Sequence, residues 1–540
     1  MASTPQNFRP TMPVIRFHGA TRVVTGSCYE IETPTSRIII DCGMFQGSKS
    51  EKELNYREFP FDPRDIDAVV LTHAHIDHSG LLPKLVKHGY SGSIFATTAT
   101  VELCSVMLPD SGYIQESEVQ QLNRRNQQRG RDPVEPIYTA EDARDCLTHF
   151  RPVDYCEWVE VVEGIRVRYW NAGHLLGSAS VEMEISYGAE KPIRLLFSGD
   201  IGPSSDLLQP DPMAPHWLDY VICESTYGDR DREDASEEVR LKLLAEEAMK
   251  AVKQGGPLII PSFAVERTQE VLVDLYTLMK SGQIPRAAIF VDSPLATKAS
   301  AVFGRHARDI ENGDVLLEAF RSDFVRFTES AEQSKAIARI RGFHVIIAAS
   351  GMCDAGRIRH HLKQWLWSSK ASVLLVGFQA QGTLGRILFD GAKRVRIQGE
   401  EIRVKARISS LDLYSGHADG SDLVKWIQER LPINENVFLT HGEPEAIEGL
   451  RNRLVDILGP DKILAPELDQ TFELTPQGAR SIDGGRPQRV PASDIGRLDW
   501  HNDLTSLLMD ISELVGQEAD ERNRSKVIRR LRKALENGDG

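Results

Sequence analysis

Three imidazoles and one carboxylate fall within six residues in the stretch Leu71-Thr72-His73-Ala74-His75-Ile76-Asp77-His78, directly after the apolar run Ala68-Val69-Val70. A strand ending there would hold the following loop rigidly, as a metal site requires. In extended chain His73 and His75 project to the same side, and Asp77 and His78 then turn towards a neighbouring point. Neutral imidazole and carboxylate suit zinc and similar borderline ions, but one ion cannot easily use all four donors from so short a span. Two adjacent ions sharing a water is the reading that fits. A surface histidine cluster that binds nothing is the competing one.

Two metal positions need more donors than these four residues supply. His174 lies in the glycine-flanked loop Ala172-Gly173-His174, Asp200 closes Phe197-Ser198-Gly199-Asp200, and His441 follows Val437-Phe438-Leu439-Thr440. Each is expected at a strand end beside a glycine, from where its side chain can reach a shared point unobstructed. Singly, each would more often be structural; together with the first cluster they form a set. Asp41, just ahead of Cys42-Gly43, is better placed to orient a ligand histidine than to bind a metal itself.

The elements that must position these residues have two textures. Residues 13 to about 228 alternate short strands (14–17, 36–41, 67–71, 165–169, 193–197, 220–224) with turns and helices, which predicts a sandwich of sheets covered by helices. From 229 a charged helical run to 253 leads into 257–262, a helix over 265–280, then 287–292, 344–350 and 371–377. Apolar runs that end in a small residue and are followed by a helix suit a buried parallel sheet. The first texture returns at 404–413 and 436–440, so the α/β piece reads as an insertion. The expected division is therefore 1–228 and 399–466 for the two parts of the first domain, 229–398 for the insertion, and 467–540 for a helical C-terminal extension. In that extension 487–491 reads as a linker. Leu504, Leu507, Leu508, Ile511, Leu514 and Val515 then keep helical spacing, as do Val527, Leu531 and Leu535 on a second helix carrying Arg524, Lys526, Arg529, Arg530, Arg532 and Lys533. Such a pair suits a hairpin docked on its own protein or an arm joining two copies into a homodimer; a basic RNA-binding helix is a third reading.

Composition bounds the class. With 540 residues, 41% hydrophobic, 26% charged and a net charge of −14, the chain reads as a globular protein of two or three domains without a wholesale basic surface. A local basic groove is still compatible with that charge. The seven cysteines are scattered, odd in number and never spaced C-x-x-C, which predicts reduced thiols. No run approaches the roughly 18 apolar residues of a membrane span and the first residues hold no apolar leader, so no membrane partner and a cytoplasmic location are expected.

The ordered set Asp41, His73-x-His75-x-Asp77-His78, His174 and Asp200 resembles the metallo-β-lactamase fold. Glu224 in Glu224-Ser225-Thr226-Tyr227-Gly228, His417 in Ser415-Gly416-His417-Ala418-Asp419, and His441 in Thr440-His441-Gly442-Glu443 are similar to the three further motifs of its β-CASP branch, the nucleic-acid-processing nucleases. The resemblance runs from about Phe17 to about Leu464. It takes in Val24-Thr25-Gly26-Ser27, Asn123-Arg124-Arg125, Pro261-Ser262-Phe263-Ala264, Ser350-Gly351-Met352 and the segment 377–386. Within that branch the chain resembles the bacterial and archaeal group related to the catalytic subunit of the eukaryotic mRNA 3′-end cleavage factor. The implied architecture is an α/β metallo-β-lactamase αββα sandwich with an inserted β-CASP α/β domain, to which this chain adds its helical C-terminal extension.

That resemblance implies that His73, His75 and His174 hold one zinc, that Asp77, His78 and His441 hold a second, and that Asp200 bridges them. Manganese or iron would also suit such donors. It implies hydrolysis of RNA phosphodiester bonds to 5′-phosphate and 3′-hydroxyl products, endonucleolytic or 5′→3′ exonucleolytic, with both modes present in the family. His417, outside the ligand set, is the expected general acid, Glu224 the carboxylate that orients it and raises its pKa, and Asp77 a candidate hydrogen-bond partner of the nucleophile. Single-stranded RNA is the expected partner, since RNA-directed members usually carry histidine where this chain has His441 and DNA-directed members valine. A DNA-directed nuclease or a small-substrate metallohydrolase of the same fold is the alternative, and the size of the insertion counts against the latter. For the phosphate backbone, Ser262 and Arg267 at a helix start and the turns Ser350-Gly351 and Gly382-Thr383 are the candidates. Residues 386–407, with seven basic and three acidic side chains, and the four arginines of 123–131 are the basic tracts where RNA is expected to touch.

Overall fold

The computed structural model describes residues 10–484 apart from 48, 190, 205, 233–235, 378, 380 and 381, together with Arg489, Ile511 and 521–536. Apart from Arg489 and Ile511, the expected linker at 487–491 and the first helix of the extension at 504–515 lie outside the described residues. The second helix of the extension runs Glu521–Glu536.

Two sheets face each other. In the eight-stranded sheet the order is Gly478–Ile482, Thr471–Thr475, Val14–Phe17, Tyr29–Glu32, Arg37–Ile40, Ala68–Val70, Ser93–Thr97 and Phe150–Val153. In the seven-stranded sheet it is Ile463–Leu464, Val437–Thr440, Tyr220–Glu224, Ile193–Phe197, Ala179–Ile185, Ile165–Asn171 and Trp158–Val162. Side chains alternate across a strand, and the packing follows. Ile38, Ile40, Ala68 and Val70 turn into the core between the sheets, where they meet Val167, Val181, Leu195, Ile222 and Phe438. Ile39, Val69 and Leu71 turn the other way and pack with Leu82, Leu85 and Leu103 of the covering helices. Burial on both faces explains why these strands read as continuous apolar runs.

The insertion is a six-stranded sheet ordered Val325–Phe327, Ile289–Val291, His344–Ala348, Pro257–Pro261, Ser372–Leu375 and Arg407–Ser410. All its pairings are parallel. Val345 and Ile347 pack on one side with the helices Glu237–Gln254 and Arg267–Lys280; Ile346 and Ala348 pack on the other with Ile358–Trp365.

Two expected boundaries shift. The insertion does not end at 398: Arg407–Ser410 pairs in parallel with Ser372–Leu375, so the chain returns to the first domain only afterwards. Residues 467–484 are not helical extension either. Thr471–Thr475 and Gly478–Ile482 form an antiparallel hairpin that adds to the strand Val14–Phe17. Phe472 and Leu474 enter the sandwich core, with Phe472 in ring contact with Phe17 and Phe438 at 5.9 and 5.2 Å. Burying such side chains is worth about 1.5–3 kcal/mol each, enough to tie this hairpin to the sandwich.

The architecture sends functional side chains to one place. Ile193–Phe197, Tyr220–Glu224 and Val437–Thr440 are adjacent and parallel, so Asp200, Glu224 and His441 emerge from the same sheet edge. Arg37–Ile40 and Ala68–Val70 are likewise parallel neighbours and deliver Asp41 and the 73–78 loop from the facing sheet. The carboxyl ends of parallel strands are where α/β sheets place their sites. Residues 41–44 are woven into the histidine loop by the bonds Cys42 N to His78 O (2.7 Å) and Met44 N to Ile76 O (2.9 Å). A Cβ on Gly43 would stand 1.6 Å from Asp77 O, so no side chain fits there. Gly43→Ala is expected to cost about 1–3 kcal/mol in thermal or denaturant unfolding and to lower metal content. A variant with wild-type stability and metal content would show that the loop tolerates the displacement.

Candidate metal centre

Described side chains gather their donor atoms into three groups along this edge, in each of which the donors lie within 4.8 Å of one another: His73, His75, His174 and Asp200; Asp77, His78 and His441; and Asp200, Glu224 and His417. All seven expected ligands, the expected acid and its carboxylate therefore meet. Asp200 stands between the first two groups. Its Oδ2 lies 3.5 Å from both His73 Nε2 and His174 Nε2, and its Oδ1 lies 3.2 Å from His78 Nε2 and 3.6 Å from His441 Nε2.

The outer nitrogens of the rings are already engaged. His78 Nδ1 meets Asp41 Oδ2 at 2.7 Å, His174 Nδ1 meets Gly416 O at 2.6 Å, and His73 Nδ1 lies 3.0 Å from Thr72 Oγ1. A ring that donates from Nδ1 turns the Nε2 lone pair inward, the usual way a histidine ligand is oriented. Inward atoms then face one another, His78 Nε2 and His441 Nε2 at 3.2 Å and His174 Nε2 and His75 Nδ1 at 3.1 Å. His73 Nε2 and Asp200 Oδ1 are buried without a hydrogen-bond partner among the described residues. Orphaned acceptors pointing at a shared point are costly in a folded interior, and a divalent cation removes that cost. The residues fit a pair of metal ions.

The electrostatics divide the rings. Burial is overcome at His78 by Asp200 and Asp41, which raise it well above its ordinary value, so a metal there would displace its proton. His73 and His174 are instead lowered. Burial drives the His73 imidazole well below its ordinary pKa, helped by His78, and takes His174 down to about 4 with help from His417. Both rings are thus kept neutral, the form that ligates. Burial would raise the Asp200 carboxyl, but His441, His78 and His73 outweigh it and hold that group well below the usual range. Asp77 is likewise held to about 2: burial opposes, and its hydrogen bond to His441 and the nearby His78 prevail.

Known relatives can now be set beside this geometry. Residues 21–241 match the Metallo-beta-lactamase superfamily, 268–388 the Beta-Casp domain, and 401–466 the Zn-dependent metallo-hydrolase RNA specificity domain. Across 461 residues the chain is 38% identical to a ribonuclease of Thermus thermophilus, covering 84% of this chain and 98% of that protein. The chain belongs to the β-CASP branch of the metallo-β-lactamase superfamily. It is also 30% identical over 445 residues to the transcription termination factor FttA of Methanocaldococcus jannaschii (79% of this chain, 67% of that protein). To an RNase J-like protein of the same organism it is 29% identical over 436 residues (80% and 93%).

Three contributors to this β-CASP site carry no signal of their own in the sequence reading. Thr72 donates its N–H and hydroxyl to Asp41 at 2.8 and 2.9 Å, fixing the carboxylate that holds His78. Thr226 donates to Glu224 Oε2 at 2.6 Å and sits 3.2 Å from His441 Nδ1. Both directly neighbour named motif residues, and a hydroxyl in that place is the clue that would have found them. Glu266 had no such clue. From the β-CASP domain it accepts Leu176 N and Gln209 Nε2, each at 2.9 Å, and so grips the loop that carries His174.

The expected phosphate ligands divide. Ser350 and Gly351 follow the strand His344–Ala348, and the turn at 382–385 packs beside them through Gly385 N to Met352 O at 3.0 Å. Thr383 is spent capping the helix Leu384–Phe389. Ser262 is buried with its hydroxyl on Phe263 O, and Arg267 is buried with its guanidinium paired to Glu270, so both hold the turn together. Of the basic tracts, Arg124, Arg125, Arg129 and Arg131 are exposed at the end of the helix Thr98–Gln128, whereas Arg386, Arg394 and Arg407 pair with Asp390, Glu401 and Glu247.

Both Asp41 carboxylate oxygens are taken up by Thr72, His78 and Ser27, so its effect on a metal would run through His78. Asp41→Asn is expected to weaken metal affinity by about 10–100-fold in a chelator competition, with the fold kept. Unchanged affinity would remove Asp41 from the support of the site.

Proposed function

We propose that this chain is a metal-dependent ribonuclease that hydrolyses phosphodiester bonds in single-stranded RNA to 5′-phosphate and 3′-hydroxyl products. The observation that carries the reading is the His417–Glu224 pair, set beside the converging His/Asp donors and outside the seven ligands. His417 Nδ1 lies 3.2 Å from Glu224 Oε1. Names of the relatives support the RNA assignment, since one is a ribonuclease, another is RNase J-like, and the third matched domain is described by its RNA specificity.

In this proposal His73, His75 and His174 hold one ion, Asp77, His78 and His441 the other, and Asp200 spans both; zinc suits the donor set. Two divalent ions bound there would make a water nucleophilic near neutral pH and offset the phosphate charge. The chain's own groups do the rest. Glu224 is fixed by Ile201 N at 2.7 Å and by Thr226, so its carboxylate sets the His417 ring. With Nδ1 turned to Glu224, His417 Nε2 is free to give a proton to the departing ribose 3′-oxygen as the phosphorus–oxygen bond breaks. Asp77 stands where its carboxylate can also hold the attacking water in line. The turns at 350–351 and 382–383 bind the backbone phosphates, with Ser262 and Arg267 positioning them.

The acid must be protonated to act. Burial lowers the His417 pKa, but the Glu224 carboxylate beside it prevails and raises it above the ordinary 6.5. A raised acid keeps its proton to higher pH, so cleavage is expected to fall as pH rises through that shifted value. In Glu224→Gln the falling limb moves to lower pH; an unmoved limb would assign it to another group. His417→Ala is expected to keep its metal and lose about 10²–10⁴-fold in rate on end-labelled single-stranded RNA with matched DNA as control. Internal fragments from the parent protein would make it an endonuclease, and mononucleotides from the 5′ end an exonuclease. Full cleavage by His417→Ala would remove that residue from the reaction, and metal-loaded protein inert on RNA would overturn the proposal.

A further inference from the structure

Phe263 is 42% exposed, yet its setting is built like a buried one. The residue follows the central strand Pro257–Pro261 of the β-CASP sheet, at the carboxyl edge where the turns after His344–Ala348 and Ser372–Leu375 also emerge. Its carbonyl accepts the Thr268 hydroxyl at 2.6 Å and the Ser262 hydroxyl at 3.3 Å. One edge of the ring lies against Gly351: a Cβ there would be 2.9 Å from both Cδ2 and Cε2, so the close approach depends on glycine. Gly351 is itself held, through its carbonyl, by Gln379 Nε2 at 3.2 Å.

The turn is also locked to the metal centre. Three residues after Phe263, Glu266 takes φ +66° and bonds the His174 loop through Leu176 N. Arg267 Nη2 reaches to 3.4 Å from where a Gly416 Cβ would be, next to His417. A single exposed apolar residue is ordinary on a protein surface. An exposed ring clamped at both backbone and edge, on a turn pinned to the reacting groups, is not ordinary.

We propose that Phe263 is the platform on which one nucleobase beside the scissile phosphodiester stacks. The proposal rests on the RNA reading above and adds a base contact to a site otherwise made of phosphate and metal contacts. An aromatic face suits any base, which is how single strands are held without sequence choice. It also fixes the strand on one side of the reacting phosphorus, where small misplacements cost rate.

The test uses the full metal-loaded chain and single-stranded RNAs carrying one abasic nucleotide at successive positions around the cleavage site. Wild-type protein is expected to lose about ten-fold in affinity at one position, and Phe263→Ala to bind intact RNA as weakly as that. Phe263→Ala should then be indifferent to the abasic nucleotide at that position, while Phe263→Trp keeps the wild-type pattern. Metal content stays unchanged in both. Equal binding and cleavage by Phe263→Ala and wild type overturn the inference. So do abasic losses that persist in full at every position in Phe263→Ala. Should that variant fail to fold, Phe263→Leu decides: an apolar side chain without an aromatic face should lose the abasic effect at that one position, and abasic losses kept in full at every position overturn the inference. Wild-type protein that cleaves no RNA would overturn both readings, whereas one that cleaves RNA while indifferent to Phe263 would sink only this one.

Discussion

Asp200 is a fully buried carboxylate with four imidazole nitrogens within 3.2–3.6 Å, divided between its two oxygens. Removing a charge from water is costly, and breaking a buried pair leaves about 3–5 kcal/mol uncompensated. Everything around Asp200 reduces that cost. Two sheets bring their parallel strand ends together at this point, and Asp41, Thr72, Thr226 and Gly416 O hold the outer faces of the rings. What remains inside is a set of inward donor atoms, of which His73 Nε2 and Asp200 Oδ1 have no hydrogen-bond partner among the described residues. The sandwich is the scaffold for that arrangement, and divalent metal is what its donors suit.

The inserted β-CASP domain is wired into the centre from both of its ends. Glu224 stands just before it and His417 just after it, so the two chain crossings supply the proposed acid and its carboxylate. Between them, Glu266 reaches from the turn before the helix Arg267–Lys280 to the His174 loop. That turn sits in a group of buried acids: Asp206 comes from the sandwich, Glu266 and Glu270 from the insertion. Burial pushes Glu266 well above the carboxylate range, with Glu270 and Asp206 adding to it, and takes Glu270 up to about 8, with Arg267 opposing and Asp206 adding. Raised carboxyls repel one another less, and Arg267 on Glu270 offsets part of the charge at this domain junction. Domain placement and metal-loop placement are in this way one problem with one set of bonds.

The sequence announces the centre and conceals its supports. His73, His75, Asp77 and His78 declare themselves by density, and Asp200 and His441 by following apolar runs beside a glycine. Parallel strands of the insertion were legible for the same reason, as runs such as Val345–Ala348 buried on both faces. The hairpin at 471–482 was missed although Thr471-Phe472-Glu473-Leu474 alternates polar and apolar, because its strands are short and the helical leucine spacing at 504–515 was extended back over all of 467–540. Arg407–Ser410 was assigned to the wrong sheet because strand partners are set by topology that local pattern does not encode. Glu266 was invisible: its role depends on a left-handed backbone and on a loop far away in sequence, and only the assembled domains bring these together.

The most direct measurement is anomalous X-ray diffraction from crystals of the zinc-loaded protein, collected at the zinc edge. Two peaks are predicted, one ringed by His73, His75 and His174 and the other by Asp77, His78 and His441, with the Asp200 carboxylate between them. A single peak, or zinc away from Asp200, would contradict the two-ion centre on which the proposed chemistry stands.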